Sequence, residues 1–452
     1  MKKFTVKPKL ITREIIVGLQ NEKSYPDRVL IGNLAEAGGI VPVFHEVSSE
    51  HVISIFGKRG SGKSYTLGSI VEGLCTKDKK TTISSISKKK AILLFDTLGI
   101  FQWMRLPIKE SSSNIIKSQL SMQKKWYLKP EILEILLFEP KQSKTYISLS
   151  KPQQFTLNTP DLSASDWGYL LDVDIYSDRI GQLLNEVYIK VTQEGWSNNK
   201  RHFSPINNYS SDDMINCLKS DSELSQVYHS ETRRALLQQL LTISHNPLFQ
   251  KEGTKLENLL RAGCLSIILL HKIPDDLRLI IVSSLIKKII ENRIHASEIE
   301  KHKLIVPETD ISNYYDRFIP PTWIVIDEAQ NILPSERKNP AGELLVKLVR
   351  EGRNFGISFM FTTQQPSAID SRILAQVDTM IIHRLTVQQD IEYIKRNLKS
   401  ALPDESRYSG RNLTFDESLR LLDVGQAFVS NTELERGFFM NVRPRISIHG
   451  GF

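Results

Sequence analysis

Gly57-Lys58-Arg59-Gly60-Ser61-Gly62-Lys63-Ser64 has the spacing GxxxxGK[ST] in full. Its glycines let the backbone wind tightly, so that N–H groups converge on phosphate oxygens. A helix starting near Lys63 adds its positive dipole end. In that geometry the Lys63 ammonium reaches the β- and γ-phosphates of ATP and the Ser64 hydroxyl ligates Mg2+. Tyr65 closes the stretch assigned to the nucleotide. Hydrolysis needs a carboxylate as well. One stands at the end of Trp323-Ile324-Val325-Ile326-Asp327-Glu328. An apolar strand there delivers Asp327 to the metal and Glu328, as general base, to the attacking water.

Two further places carry usable groups. Gln364, after Phe359-Met360-Phe361-Thr362-Thr363, has an amide that can touch both a γ-phosphate and a lytic water; it is either a sensor or an ordinary loop residue. Arg350 and Arg353 flank the end of a helix. They are either partners of its dipole or, in a ring of subunits, candidates to reach a neighbour's γ-phosphate. Arg353 lies just past the helix, is freer to reach out and is favoured over Arg350.

These groups need a scaffold that brings strand ends to one edge. Val52–Phe56 reads as a buried strand entering the glycine loop, and Ser64 to about Cys75 as the helix leaving it. Ala91–Phe95, ending at Asp96, Leu265–Leu270, Trp323–Ile326, Ile357–Phe361 and Thr379–Ile382 read as further strands. Val282–His295 and Ala341–Arg350 read as helices, the second with the stripe Ala341, Leu344, Leu345, Leu348 and with Gly352 placed to end it. Strands alternating with helices predict an α/β fold with a mainly parallel sheet covered on both faces. Between about Arg105 and Gly263 the pattern changes. Ser163 and Asp166 have capping-box spacing, Ile180, Leu183, Leu184, Val187 and Val191 recur at helical spacing, and Glu231–Ile243 is a second helix. Asn198–Asp213 reads as a polar loop. The expected organisation is a short β-rich segment at 1–50, core at 51–104, a mainly helical insertion at 105–263, and core again at 264–452.

The chain has 452 residues and a formal charge of +8. That balance suits a polyanionic partner no better than it suits a merely basic protein. Cys75, Cys217 and Cys264 are far apart and outside any CxxC, so neither a disulfide framework nor a zinc site is expected. No apolar stretch follows the charged Met1–Leu10, and the longest apolar run is too short to span a bilayer. A cytoplasmic protein without an integral membrane segment is expected.

Asp327-Glu328-Ala329-Gln330-Asn331, Leu348-Val349-Arg350-Glu351-Gly352-Arg353-Asn354-Phe355-Gly356 and Thr363-Gln364-Gln365-Pro366-Ser367 resemble the HerA branch of the HerA/FtsK ATPases. Gly425-Gln426-Ala427, Val442-Arg443-Pro444-Arg445 and His449-Gly450-Gly451 agree. The resemblance implies a RecA-like P-loop core, a homohexameric ring, and ATP-driven movement of double-stranded DNA through its channel. It also implies an effector partner, commonly a nuclease. Relatives usually carry a β-barrel before the glycine loop; here 56 residues precede Gly57, so a reduced barrel of a few strands is expected. Members of that kind resemble the ATPases of bacterial anti-phage operons, which pair with a nuclease or an NAD-degrading enzyme. Asp96-Thr97-Leu98-Gly99 departs from the Asp-Pro-x-Gly of many relatives, which is expected to alter a loop and leave the chemistry intact.

A second function of another class shares every motif: an ATP-dependent scaffold that assembles and regulates an effector without processive movement. For the DNA reading, Pro334–Pro340 is either a channel loop, with Arg337 and Lys338 on phosphates, or a plain surface turn. The Lys-rich Thr76–Lys90 stretch and the pair Arg443 and Arg445 are the other places for such contacts.

Overall fold

The computed structural model describes residues 10–11, 14–19, 26–35, 40–109, 113–129, 131–142, 151–198, 200–307, 318–332, 340–402, 406–408 and 411–451. Strands β1 (Glu14–Val17), β2 (Arg28–Leu34), β3 (Pro42–Glu46) and β4 (Val52–Phe56) lead into helix α1 (Lys63–Leu74) and strand β5 (Ala91–Asp96). Strands β6 (Ile135–Pro140) and β7 (Gln153–Phe155) follow, then helices α2 (Arg179–Ile189), α3 (Ser211–Ser220) and α4 (Ser230–Ser244). The chain continues through β8 (Leu265–Leu269), α5 (Asp275–Ile305), β9 (Thr322–Ile326), α6 (Pro340–Glu351), β10 (Ile357–Thr363) and β11 (Thr379–Ile382). It ends with α7 (Gln388–Asn397), α8 (Phe415–Leu421), β12 (Gln426–Asn431) and β13 (Phe438–Val442).

One large sheet organises these elements. Its order runs β1-β3-β2-β13-β12-β11-β4-β10-β9-β5-β8-β6-β7, with Leu10–Ile11 outside β1. From β11 to β7 every neighbouring pair is parallel. β12, β13 and β2 continue the sheet in antiparallel fashion. Parallel strands need crossovers, and the helices that supply them cover the faces. The central strands β4, β5, β8, β9, β10 and β11 are therefore buried along their whole length. Two apolar clusters, one per face, divide their side chains: Ile53, Ile55, Ile92 and Leu94 on the α1 side, Phe56, Leu93, Phe95 and Phe361 on the other.

The α/β expectation holds: this is a RecA-like arrangement with a mainly parallel sheet covered by helices. The helix expected at Val282–His295 is longer, Asp275–Ile305, because its polar C-terminal half carries no periodic apolar signal. The segment between Arg105 and Gly263 contains α2, α3 and α4, and it also gives β6 and β7 to the main sheet. The capping box at Ser163 and Asp166 is present. Asn198–Asp213 is more ordered than a loop: Trp196–Asn198 pairs with Arg201–Phe203, and α3 starts at Ser211 behind a capping box from Ser210 and Asp213. All three cysteines are free and buried.

Candidate active site

The C-terminal ends of β4, β9 and β10 meet at one edge of the sheet, and the glycine loop follows β4 there. Gly57, Gly60 and Gly62 have φ of 155°, 73° and 107°, a region that side chains disfavour. At Gly57 a side chain also has no room: its Cβ would lie 2.5 Å from Ser61 Oγ and 2.7 Å from His383 Cβ. The loop is braced from within, since Ser61 N–H and its hydroxyl both donate to the Lys58 carbonyl, at 3.2 and 2.7 Å. α1 begins at Lys63 with no side chain capping its N-terminus, so its first N–H groups are left for an anion.

Lys63, Ser64, Asp327, Glu328 and Gln364 converge. The Lys63 ammonium is buried, donates to the Lys58 carbonyl at 3.3 Å and lies 3.9 Å from Glu328 Oε1. Burial lowers its pKa, partly offset by Glu328 and Asp327. The Ser64 hydroxyl donates to Asp327 Oδ1 at 3.1 Å. Asp327 has no exposed surface, and burial pushes its carboxyl up to about 7 against a hydrogen bond from Thr362, with Glu328 and Asp96 raising it further. Glu328 is held on both oxygens, by Gln364 Nε2 at 2.8 Å and Gln330 Nε2 at 2.7 Å. Its φ of 54° is a left-handed conformation in a non-glycine residue. Strain of this kind costs about 1–3 kcal/mol and persists where the surroundings fix it.

Sequence reasoning missed three residues here. Thr362 bridges the Asp-Glu pair; its place before Gln364 was visible, its contacts were not. Asp96 accepts N–H bonds from Leu98, Gly99, Ile100 and Phe101 at 3.2, 2.7, 3.3 and 2.8 Å, which shapes the loop after β5. Burial nevertheless pushes its carboxyl up to about 6. His383 is buried under the glycine loop. Its Nδ1 faces the Gln426 carbonyl at 2.8 Å, which only accepts, so Nδ1 carries the proton and Nε2, 2.9 Å away, takes the Thr66 hydroxyl. Burial, with Lys63 nearby, lowers its pKa to about 4 and keeps it neutral.

Other residues lie elsewhere. The phenol of Tyr65 turns away toward the C-terminal segment, where it accepts the Arg445 N–H at 2.8 Å. Arg350 and Arg353 stand at the opposite, N-terminal edge of the strands. Arg353 pairs with Asp378 at 2.7 Å, donates to the Glu50 carbonyl at 3.2 Å and keeps half its side chain exposed. Lys58 and Arg59 sit within the glycine loop, Arg59 exposed. The candidate channel loop, with Arg337 and Lys338, lies outside the described residues.

Of the two alternative DNA contact sites, burial removes the arginine pair, and the lysine stretch keeps only part of its cations free. Arg443 and Arg445 are buried, at 0% and 1% exposure, with both guanidinium groups on Glu72 of α1. In the Lys-rich stretch, Lys89 donates to the Thr76 carbonyl at 2.8 Å and Lys90 to the Ser49 carbonyl at 2.7 Å. Those two lysines tie loops together, whereas Lys77, Lys79, Lys80 and Lys88 are exposed.

A glycine loop between a parallel strand and a helix, facing an Asp-Glu pair on a nearby strand, defines the P-loop nucleoside-triphosphatase class. Residues 29–289, over half of the chain, match the family described as helicase HerA, central domain, and the chain belongs to that family. Residues 265–404 also match the family described as zonular occludens toxin (Zot). Among curated relatives, a probable helicase, MJ1565, of Methanocaldococcus jannaschii is 25% identical over 227 residues, 50% of this chain and 37% of its own length. The DNA double-strand break repair helicase HerA of Pyrococcus furiosus is 27% identical over 152 residues, 30% of this chain and 28% of its own. The chain thus spans about a third of the length of these relatives. Among solved structures, VirB4 of Thermoanaerobacter pseudethanolicus aligns at 12% identity and a TM-score of 0.48, over 93% of this chain and 97% of that one. The plasmid coupling protein TrwB in complex with ADP and Mg2+ aligns at 13% and 0.49, over 94% and 97%. Among the described residues no helix is long and apolar enough to cross a membrane.

Proposed function

We propose that the protein is an ATP-hydrolysing motor that works in the cytoplasm as a homohexameric ring and moves double-stranded DNA. The observation that carries the ATPase reading is the convergence of Lys63, Ser64, Asp327, Glu328 and Gln364 on one sheet edge. Membership in the HerA family supports the motor reading, and a nuclease or an NAD-degrading enzyme is the proposed effector, in anti-phage defence.

The residues fit ATP and Mg2+. The loop and the N-terminus of α1 offer backbone donors to the phosphates, and Lys63 adds a cation between them and Glu328. A buried carboxylate beside a hydroxyl is an oxygen donor set of the kind Mg2+ takes, so Ser64 and Asp327 would hold the metal. Bound there, Mg2+ supplies charge neutralisation to the phosphate oxygens. Glu328 takes the proton of the attacking water, and Gln364, already hydrogen-bonded to Glu328, orients that water against the γ-phosphate. Arg353 cannot serve its own site, because it stands at the other end of the strands. Its proposed role is therefore in a neighbouring subunit.

The test is steady-state ATP hydrolysis with and without long duplex DNA, beside particle imaging of the assembly. Duplex DNA should stimulate hydrolysis several-fold and the particles should be six-fold rings. Hydrolysis indifferent to DNA would overturn the motor reading in favour of the scaffold, and no hydrolysis at all would overturn both.

A further inference from the structure

The loop after β11 is fastened to the glycine loop and to α8. His383 N–H donates to the Phe56 carbonyl at 2.8 Å, Lys58 N–H to the Arg384 carbonyl at 2.9 Å, and Leu385 N–H to the Leu419 carbonyl at 3.3 Å. Arg420 Nη1 holds the Thr386 carbonyl at 2.8 Å. Arg384 is thus mounted on backbone fixed from two sides, hydrogen-bonded directly to the second residue of the phosphate loop.

Among the described residues its side chain makes no hydrogen bond that would use that rigidity. Arg384 is half-buried, its Nε is shielded from solvent, and that Nε has no hydrogen-bond partner among the described residues. A shielded guanidinium N–H without an acceptor is costly, and proteins rarely tolerate one without a reason. The arginines of the C-terminal segment show the contrast: Arg443 and Arg445 are deeper and fully engaged.

Sheet order says which part of a nucleotide this guanidinium would meet. β4, which carries the loop, lies between β10 on one side and β11 on the other. Glu328 and Gln364, the groups suited to the γ-phosphate and its water, come from β9 and β10. A phosphate chain laid across the loop with its γ end there has its nucleoside end toward β11. We infer that Arg384 binds the α-phosphate of the nucleotide in its own subunit. Its planar fork suits a phosphate better than an ammonium would. This inference rests on the ATP-binding reading of the site and adds a second cation at the far end of the chain from Lys63.

The test is equilibrium binding of MgADP and of a slowly hydrolysed MgATP analogue to the intact protein, with wild type, Arg384→Gln and Arg384→Lys, each also melted with and without nucleotide. Failure of wild type to bind either nucleotide would sink the ATP-binding reading itself. With wild type binding, Arg384→Gln should weaken both ligands by the same factor, about 10- to 100-fold, the range for a charge-assisted hydrogen bond. Arg384→Lys should recover part of that loss. The melting temperature without nucleotide should be unchanged, while the rise on adding MgADP shrinks. Unchanged ADP affinity in Arg384→Gln, or a loss confined to the ATP analogue, overturns the α-phosphate contact. If Arg384→Gln melts early, Arg384→Lys decides alone: weakened binding of both ligands supports the contact and wild-type affinity overturns it.

Discussion

The Thr362 hydroxyl donates to Asp327 Oδ1 at 2.6 Å, and its oxygen accepts the Glu328 N–H at 3.0 Å. One side chain on β10 therefore fixes the carboxylate of Asp327 and the backbone of Glu328, just past the end of β9. Thr362→Val keeps the shape and removes both bonds. It should cost about 1–3 kcal/mol of stability, since it strands a buried acceptor and a buried donor. Hydrolysis should fall by about tenfold or more, because Glu328 loses its fixed backbone. Denaturant melts and kcat measured together check both parts.

Lys63 and Glu328 should separate binding from turnover. Lys63→Ala should abolish nucleotide binding or hydrolysis, because the phosphates lose their main cation. Glu328→Gln should bind ATP as wild type does and hydrolyse it at least a hundredfold more slowly. Near wild-type hydrolysis by Glu328→Gln would remove Glu328 as general base.

Arg353→Ala subunits should bind ATP normally and fail to hydrolyse it. Mixed with Lys63→Ala subunits they should regain activity, since one interface can then combine an intact loop with an intact arginine. No recovery at any ratio, with subunit exchange demonstrated, would remove the trans role from Arg353, and Arg350 would be tested next. Arg353→Ala also frees Asp378, whose other oxygen takes the Val52 N–H at 2.8 Å, so its melting temperature should be recorded alongside.

Nucleotide binding should depend on pH through Asp327. Its folded pKa is raised to about 7 from an ordinary value near 3.8. The folded chain without metal therefore holds the extra proton, and Asp327's contribution to stability falls as pH rises between these two values. Mg2+ needs the carboxylate, so MgADP affinity should rise from pH 6 to pH 8 by several-fold. Calorimetric titration at both values checks this, and Asp327→Asn should flatten the dependence.

Glu72 should be one of the costliest polar residues to replace. It is fully buried and receives Arg443 Nη1 at 3.0 Å, Arg445 Nε at 3.2 Å and the Ser447 hydroxyl at 2.6 Å. Burial pushes its carboxyl up, yet Arg445 and Arg443 outweigh that and hold it low. Glu72→Gln leaves two guanidinium groups buried without a charge partner, and should cost about 3–5 kcal/mol. The wild-type contribution should persist at neutral pH and fade as pH falls below the ordinary carboxylate range.

Local signals made the core legible. The glycine loop is a contiguous pattern, and the apolar runs before Gly57, Asp327 and Gln364 are long enough to identify as buried strands. What stayed hidden depends on contacts across long sequence separations. Asp96 and Asp327 end adjacent strands, and Thr362 meets Asp327 only because β9 and β10 pair in one register. His383 reads as a strand-end residue until β11 is placed beside β4. Arg443 and Arg445 looked like phosphate ligands because composition does not reveal that Glu72, far upstream, waits for both. Insertion strand β7 was invisible for a similar reason: a three-residue edge strand is defined by its partner, not by its own periodicity.

β10 runs from just after Arg353 to just before Gln364, seven residues or about 23 Å at the usual strand rise. It is clamped along its length by parallel partners, β4 and β9. Such a strand resists bending and transmits axial displacement, like a tie rod. In the proposed motor, a shift of Gln364 on contact with the γ-phosphate would be carried through β10 and its paired strands toward the Arg353 end. In the ring assembly proposed for this chain, the order in which neighbouring sites fire would then be set through the rigid middle of each subunit, leaving the surface loops free to vary with the cargo.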